Sequence, residues 1–245
     1  MNLAGKTALI TGGGHRIGRA LALALAESGC YLLLHYHRSR AAAEETATVA
    51  RALGAPVHLV SADLSQLDDA WPLWASLPAS WPPVQILVNN AAIFPKDTLA
   101  SMTVQQWSQT FRVNLRSPIL LTQAFYQALP QDLSGVVVNI SDWRTARPYR
   151  SHFTYTVAKG ALDVFTQAAA LELAPRVRVN GIALGAMLPP DDASEAYWQR
   201  VLATVPLARD GGTRAAAETL LYLLRNDFIT GETVILSGGA HLAMT

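Results

Sequence analysis

The first thirty residues combine a short apolar strand, a glycine turn and a helix. Residues 6–11 form the expected buried strand, three consecutive glycines follow at 12–14, and residues 16–28 are an Ala- and Leu-rich helix with Gly18 in its first turn. In this order the turn presents backbone N–H groups and a helix N-terminus to a phosphate. A strand before the glycines and a helix after them are the context that a dinucleotide-binding fingerprint requires. We therefore expect a dinucleotide site at this end of the chain.

Apolar strands and helical patterns alternate along the rest of the chain. Strands are expected at residues 30–36, 57–60, 86–88, 136–140, 177–182 and 234–236, and helices at 41–53, 103–112, 115–129 and 153–173. Alternating β and α elements with apolar strands favour a parallel sheet that is covered by helices on both faces. No linker divides the 245 residues. The expected fold is therefore α/β, a single-domain Rossmann-type doubly wound parallel sheet of three layers that spans residues 1–245.

Composition limits the partners. Lys and Arg number 19 against 18 Asp and Glu, so the net charge of +1 gives no basic field for nucleic acid and no membrane-binding patch. Cys30 is the only cysteine and cannot form an internal disulfide, and no apolar signal or membrane-length segment is present. We expect a cytoplasmic protein with a small-molecule partner, no nucleic acid, no membrane and no metal.

Tyr155 and Lys159 form a Y-x-x-x-K pair within a helical pattern. Residues at i and i+4 lie on the same face of a helix, so the phenol and the ammonium can contact one ligand together. A nearby positive charge favours the phenolate, and we expect it to bring the Tyr155 pKa down toward the working range. The pair predicts a proton-transfer site.

Polar residues follow the ends of several predicted strands, where parallel sheets bind their ligands. They are Thr11, His37, Arg38, Ser39, Asp63, Asn90 and Asp142. An acidic residue at the end of the second strand would repel a 2′-phosphate, and that position instead carries a cation and hydrogen-bond donors. NADP(H) is therefore the expected cofactor.

These motifs, taken in order, resemble the short-chain dehydrogenase/reductase family over essentially the whole chain. The shared motifs are Thr11-Gly12-x-x-x-x-x-Gly18, Asp63-Leu64, Asn89-Asn90-Ala91, Asn114, Tyr155-x-x-x-Lys159 and Arg178-Val179-Asn180. Within the family the chain is most similar to the pteridine reductases. Arg16 stands where most members have a glycine, residues 34–39 match the pteridine reductase second strand, and Asp142 stands where most members have the catalytic serine.

The resemblance implies a set of site residues. Catalytic residues would be Asp142, Tyr155, Lys159 and Asn114, the last in a bent helix that connects the lysine to solvent through a water. Cofactor contacts would come from Thr11, Gly12, Gly14, His15, Arg16, Ile17, Gly18, His37, Arg38, Ser39, Asp63, Leu64, Asn90, Ala91, Tyr155, Lys159 and Gly185. Substrate contacts would come from Arg16, Phe94, Asp142, Tyr155 and Met187, with Phe94 stacking a pterin against the nicotinamide. Residues 187–205 would form a flexible substrate lid.

The activity that the resemblance implies is NADPH-dependent reduction of a pterin, of the biopterin, dihydrobiopterin, dihydromonapterin or dihydrofolate class. Hydride would pass to a ring C=N while Tyr155 donates the proton. The resemblance also implies a homotetramer built through the helices at 115–129 and 153–173. Leu184 replaces the usual proline and Ser237 the usual aspartate, and the tail 240–245 lacks an arginine that some pteridine reductases carry. These departures lie on the segments that would contact the nicotinamide and a neighbouring subunit.

Asp142 separates the possible substrates. An ionised carboxylate only accepts hydrogen bonds, so it opposes the oxyanion of a ketone under reduction and suits ring nitrogens that carry N–H groups, whereas a protonated Asp142 could feed protons to Tyr155. The neighbouring Ser141 leaves a second possibility, since a shift of one residue restores a serine to the site. An NADPH-dependent ketone reductase of 3-oxoacyl or sugar type is therefore the alternative. A non-catalytic NADP(H)-sensing module is the alternative from another class.

Overall fold

The computed structural model describes residues 1–68 and 70–243 and shows a three-layer α/β fold. Among these residues seven strands form one parallel sheet in the order β3-β2-β1-β4-β5-β6-β7. The strands are β1 Thr7–Ile10, β2 Tyr31–Tyr36, β3 Val57–Ser61, β4 Val84–Asn89, β5 Gly135–Asp142, β6 Val177–Leu184 and β7 Thr233–Leu236. The predicted fold class is confirmed. Met244 and Thr245, the end of the tail considered above, lie outside the described residues, as does Asp69.

Eight α-helices connect the strands in the described part of the chain. They are α1 Arg16–Glu27, α2 Arg40–Ala52, α3 Trp71–Ala75, α4 Val104–Phe111, α5 Ser117–Ala128, α6 Phe153–Leu173, α7 Glu195–Leu202 and α8 Gly212–Arg225. The predicted helix at 153–173 has the observed bounds, and the others differ at their ends by one or two residues. Sequence analysis did not assign α3 or α8, whereas α7 lies within the segment 187–205 that was predicted as a lid. None of the described helices is both long and apolar enough to cross a membrane.

Two apolar clusters hold the layers together. On one face of the sheet α1 and α8 bury leucines such as Leu21, Leu25 and Leu220, and on the other face α5 buries Leu121 and Phe125. Every residue of β1, β4 and β5 is buried. Covering both faces in this way accounts for the nearly continuous apolar strands. It leaves the carboxyl ends of the strands as the accessible edge.

The central strands extend further toward this edge than the sequence predicted. The expected strand at 86–88 ends at Asn89, and the expected strand at 136–140 ends at Asp142. Polar side chains pair inside the sheet here, since Asn89 Nδ2 donates to Asn139 Oδ1 at 2.8 Å. Asp142 is therefore the last residue of β5 and does not lie in a loop after it, which restricts the position of its carboxyl group.

A π-helical turn, Arg112–Arg116, joins α4 to α5 around Asn114. The amide of Asn114 is buried and pairs with the backbone of Ile93, accepting from its N–H at 2.9 Å and donating to its carbonyl at 2.8 Å. π-Turns commonly occur at functional sites. The turn is the helix bend that the resemblance implied, and it ties this helix to the segment that follows β4.

Candidate active site

A cavity of about 660 Å³ lies at the carboxyl ends of the strands. Eighteen of the sequence-predicted site residues line it: Gly12, Gly14, His15, Arg16, Ile17, Gly18, His37, Arg38, Ser39, Asp63, Leu64, Asn90, Ala91, Asp142, Tyr155, Lys159, Gly185 and Met187. Thr11, Phe94 and Asn114 are not among the lining residues. Leu184, which replaces a proline, also lines the cavity. The predicted residues therefore meet in one site, although they come from widely separated parts of the chain.

Side chains at the ends of β1 and β4 hold the glycine turn. The Thr11 hydroxyl accepts hydrogen bonds from the backbone N–H groups of Asn90 and Ala91, at 2.9 and 3.0 Å. Asn90 Nδ2 donates in return to the carbonyls of Thr11 and Gly12. A Cβ at Gly18 would lie 2.1 Å from the Gly12 oxygen, so no side chain fits there. Thr11 thus supports the glycine turn without lining the cavity itself.

His35, which sequence analysis did not select as a site residue, supports the same turn. Its Nδ1 accepts from the backbone N–H of Gly12 at 3.2 Å, and its Nε2 lies 3.0 Å from the Ala62 carbonyl and donates to it in the neutral ring. Burial lowers the pKa of His35 to about 4, so the ring is neutral at pH 7. A histidine inside an otherwise apolar strand was the signal in the sequence.

The end of β2 carries exposed cationic and polar side chains. His37, Arg38 and Ser39 are exposed and line the cavity. Asp63 at the end of β3 lies close by, with a carboxylate oxygen 3.6 Å from His37 Nε2. Hydrogen bonding from Ser65 lowers the pKa of Asp63 and ties its carboxyl group to the local turn. Arg38 and Ser39 therefore remain as donors for a phosphate at this end of the cavity.

A buried cluster of ionisable groups forms the other end. The Tyr155 hydroxyl donates to Asp142 Oδ2 at 3.1 Å, and Lys159 Nζ donates to the Ile140 carbonyl at 2.6 Å. Ser141 also lines the cavity, but its hydroxyl lies against Asp163 on α6. The carboxyl group of Asp142, and not a serine hydroxyl, therefore contacts the tyrosine.

The tyrosine and lysine have opposite pKa shifts. Burial first, and then the Asp142 carboxylate, raise the pKa of Tyr155 well above its ordinary value. The expectation that Lys159 would lower it is wrong for this structure, since burial and Asp142 outweigh an ammonium 5.9 Å from the ring centroid. Burial lowers the pKa of Lys159 to about 8, against the opposing charges of Asp142 and Asp163. The phenol is therefore held in its protonated form.

A family profile described as short chain dehydrogenase matches residues 6–199. The chain belongs to this family. It is 32% identical to L-xylulose reductase from Bos taurus, with 98% of each chain covered. It is 29% identical to the 3-oxoacyl-[acyl-carrier-protein] reductase FabG from Staphylococcus aureus, with 97% of this chain and 98% of that protein covered. The crystal structure of FolM alternative dihydrofolate reductase 1 from Brucella canis, complexed with NADP, has a TM-score of 0.94 and 35% identity over 100% of this chain and 97% of that one.

Arg144, which sequence analysis did not select, lies beside Asp142 in this short-chain dehydrogenase site. Arg144 Nη1 lies 3.1 and 3.3 Å from the two carboxylate oxygens of Asp142, and the Arg144 backbone N–H donates to Oδ1 at 2.9 Å. The Arg144 side chain is 24% exposed. This ion pair fixes the position of the Asp142 carboxyl group beside the Tyr155 hydroxyl. The signal was an arginine two positions after the unusual aspartate.

Phe94 and Arg16, two of the predicted substrate residues, are both exposed. Phe94 is 48% exposed, and its ring stacks on that of His152 with 3.7 Å between the ring centroids. The Phe94 ring is also edge-on to that of Tyr155, with an angle of 83° and 4.5 Å between the centroids. Arg16 forms an ion pair with Asp191 and donates to the Pro189 carbonyl at 2.9 Å. The predicted lid segment is thereby joined to the glycine turn. Among the described residues, no group of three or more His, Cys, Asp or Glu side chains is arranged to hold a metal.

Proposed function

We propose that this short-chain dehydrogenase is an NADPH-dependent reductase of a pterin, of the biopterin, dihydrobiopterin, dihydromonapterin or dihydrofolate class. The observation that carries the proposal is the Asp142 carboxylate at the Tyr155 hydroxyl. A carboxylate accepts hydrogen bonds only, so it disfavours a developing oxyanion and favours a ring that carries N–H groups. The likeness to the dihydrofolate reductase from Brucella canis supports the same reading.

The cavity fits NADP(H). Gly12 and Gly18 have no side chain that would keep a diphosphate from the turn, and the helix N-terminus of α1 faces the same space. Arg38 would hold the 2′-phosphate with donors from Ser39. Lys159 would hold the nicotinamide ribose beside Tyr155. NADP in the Brucella canis structure supports this assignment.

Each residue of the catalytic cluster then has one task. NADPH, when bound, supplies the hydride. Tyr155 donates its proton to the ring nitrogen next to the carbon that is reduced, and its raised pKa keeps that proton in place until the nitrogen becomes basic. Before the substrate binds, Asp142 accepts from the hydroxyl of Tyr155, and this O–H would turn from Asp142 to the ring nitrogen in the reacting complex. Arg144 fixes the position of Asp142. Lys159 and Asn114 would return a proton from solvent.

Reduction of a ketone, of 3-oxoacyl or sugar type, is the second candidate. The relatives L-xylulose reductase and 3-oxoacyl-[acyl-carrier-protein] reductase favour it at 32% and 29% identity. The Asp142 carboxylate opposes it. A non-catalytic NADP(H) sensor does not need a buried tyrosine that donates to a carboxylate, with a buried lysine one helical turn further on, so this cluster argues against that role.

The assembly follows the same family expectation, and the location follows the cysteine content of the sequence. We propose a homotetramer built through α5 and α6, and Val164 and Leu171 are exposed apolar side chains of α6. We also propose a cytoplasmic location. Light scattering and cell fractionation test these two statements independently of the activity.

The test of the activity is NADPH oxidation by the purified protein with biopterin, dihydrobiopterin, dihydromonapterin and dihydrofolate, alongside L-xylulose and a simple diketone. We expect kcat/KM with one of the pterins to exceed that with either carbonyl substrate by at least roughly tenfold. Faster reduction of the diketone than of any pterin would select the ketone reductase. NADPH binding without any oxidation would select the sensor.

A further inference from the structure

Helix α6 carries a half-buried carboxylate, Asp163, to which the mechanism above gives no task. Asp163 lies one helical turn beyond Lys159, and Lys159 lies one turn beyond Tyr155. Residues four apart are neighbours on a helix surface, so the three side chains follow one another along one side of α6. Tyr155 and Lys159 line the cavity, whereas Asp163 is not among its lining residues. The carboxylate therefore lies next to the lysine but outside the cavity.

Lys159 needs a negative charge nearby to remain an ammonium. The residue is buried, and among the described residues its Nζ makes one hydrogen bond, to the neutral carbonyl of Ile140 at 2.6 Å. An ammonium that is removed from water and paired only with neutral groups tends to lose its proton. The carboxylates around Lys159 therefore decide whether it faces the cavity as a cation or as a neutral amine.

Two carboxylates face Lys159, Asp142 from β5 and Asp163 from its own helix. Asp142 is already paired with Arg144, and it also accepts from the protonated phenol of Tyr155. Asp163 forms no ion pair within 4.0 Å in the part of the chain that the structure describes. Its charge therefore acts on Lys159 through the protein interior, where attraction between charges is screened less than in water.

The surroundings of Asp163 favour its ionised form only in part. Burial raises the pKa of Asp163, and the hydroxyls of Ser141 and Thr145 and the charge of Lys159 oppose that rise. Although Ser141 lies against Asp163, Asp163 Oδ1 and Ser141 Oγ are both buried and have no hydrogen bond of regular geometry to any described residue. A buried carboxylate oxygen without a donor is costly. An effect of this charge on Lys159 accounts for that cost.

We propose that Asp163 is a positioning residue for the cofactor, whose carboxylate keeps Lys159 in the ammonium form that would hold the nicotinamide ribose. Asp163 itself contacts neither cofactor nor substrate. The inference concerns NADPH binding, so it holds whether the substrate is a pterin or a ketone. The competing explanation is structural, with Asp163 fastening the turn 143–145 to α6 through Ser141 and Thr145. A structural role would not depend on the amine of Lys159.

The experiment measures the NADPH dissociation constant by nucleotide fluorescence across pH. In the parent protein the affinity should fall with a midpoint near the Lys159 pKa of about 8. In Asp163→Asn the midpoint should move down by roughly one pH unit, so that NADPH binds roughly threefold more weakly midway between the two midpoints. Asp163→Glu keeps the carboxylate and should keep the parent midpoint. Asp132→Asn is the matched control, since Asp132 is exposed in the turn before β5.

The Lys159→Met background separates the two explanations. If Asp163 acts through the lysine, adding Asp163→Asn to Lys159→Met should leave NADPH affinity unchanged at every pH, because no amine is left to titrate. A loss of affinity of the same size in both backgrounds would overturn the proposal and assign Asp163 to the turn 143–145. Equal midpoints for the parent and Asp163→Asn would also overturn it. If the asparagine variant does not fold, Asp163→Ser replaces it, and the same downward shift of the midpoint is expected.

Discussion

The two ends of the cavity are built in different ways. At the cofactor end, hydrogen bonds from Thr11, Asn90 and His35 hold the glycine turn. The cationic side chain at this end, Arg38, is exposed. At the catalytic end Asp142 contacts both Tyr155 and Arg144 through side-chain hydrogen bonds, and Lys159 is buried nearby on the same helix as Tyr155. Binding a large anion needs N–H groups and cations that act almost independently. Moving a proton needs buried groups whose charges depend on one another.

This difference predicts larger and more coupled effects at the catalytic end. The largest is expected for Tyr155→Phe, which removes the reacting hydroxyl and leaves the ring packing intact. Turnover should fall by roughly three orders of magnitude or more, as for the loss of a positioned proton donor. Steady-state NADPH oxidation with the best pterin measures the loss.

Binding of NADPH is the control for Tyr155→Phe. The dissociation constant from nucleotide fluorescence should change by less than about threefold, because the phenol contributes one hydrogen bond among many. If Tyr155→Phe retained most of its turnover, another residue would have to donate the proton. If it no longer bound NADPH, Tyr155 would contribute to cofactor binding as well as to proton transfer.

The next effect concerns Asp142. Asp142→Ser should reduce pterin turnover by roughly two orders of magnitude, since the carboxylate that accepts from the hydroxyl of Tyr155 is replaced by a shorter, neutral hydroxyl. Activity with a diketone should hold or increase, because a hydroxyl can donate to a developing oxyanion and a carboxylate cannot. Kinetics of both proteins on both substrates test the reversal. Unchanged pterin turnover would reject the pterin proposal and leave the ketone reductase.

The sequence predicted the fold and much of the site for local reasons. The alternating strand and helix patterns of apolar residues can be recognised without knowledge of the tertiary contacts. The glycine turn and the spacing of Asp142, Tyr155 and Lys159 can be recognised in the same way. Helix α3 has five residues, too few for a period, and α8 begins at a glycine pair that resembles a turn. Arg144 and His35 depend on which atoms come together in three dimensions. The direction of the Tyr155 pKa depends on burial, which the sequence does not show.

A smaller effect is expected at the cofactor end. The proposed enzyme should prefer NADPH to NADH by at least roughly tenfold in kcat/KM, which is about 1.4 kcal/mol of phosphate recognition. Arg38→Asp should erase or invert the preference with the fold unchanged, because Arg38 is exposed. The Arg38→Asp substitution should change kcat/KM with NADH only slightly. Equal efficiency of the unmodified protein with both cofactors would contradict the assignment of the β2 end to a phosphate.

Because of Lys159, we expect NADPH affinity and the free energy of unfolding to change in opposite directions as pH rises above 8. The Lys159 pKa of about 8 means that the ammonium loses its proton as pH rises through that value. We expect NADPH affinity to fall several-fold above pH 8, since a neutral amine is a weaker donor to the ribose. Stability should change the other way, because a lysine pKa below its ordinary 10.5 makes the unfolded chain bind more protons between pH 8 and 10.5. Lys159→Met should remove both trends, and an affinity independent of pH would contradict this account.

The smallest effect on turnover concerns His35, which should change stability in acid and not activity at neutral pH. Its folded pKa of about 4 lies below its ordinary value of 6.5, so the unfolded chain binds one more proton than the folded chain between these values. Stability from His35 is therefore present above pH 6.5 and is lost as pH falls toward 4, by about 1.4 kcal/mol per pH unit. Urea unfolding of the parent protein and of His35→Leu across this range measures the difference. The variant starts lower at pH 7, because Gly12 loses its acceptor, but its stability should fall less steeply in acid. Equal slopes would mean that His35 can take up a proton while folded, and the glycine turn would then be less rigid than the buried cluster around Tyr155.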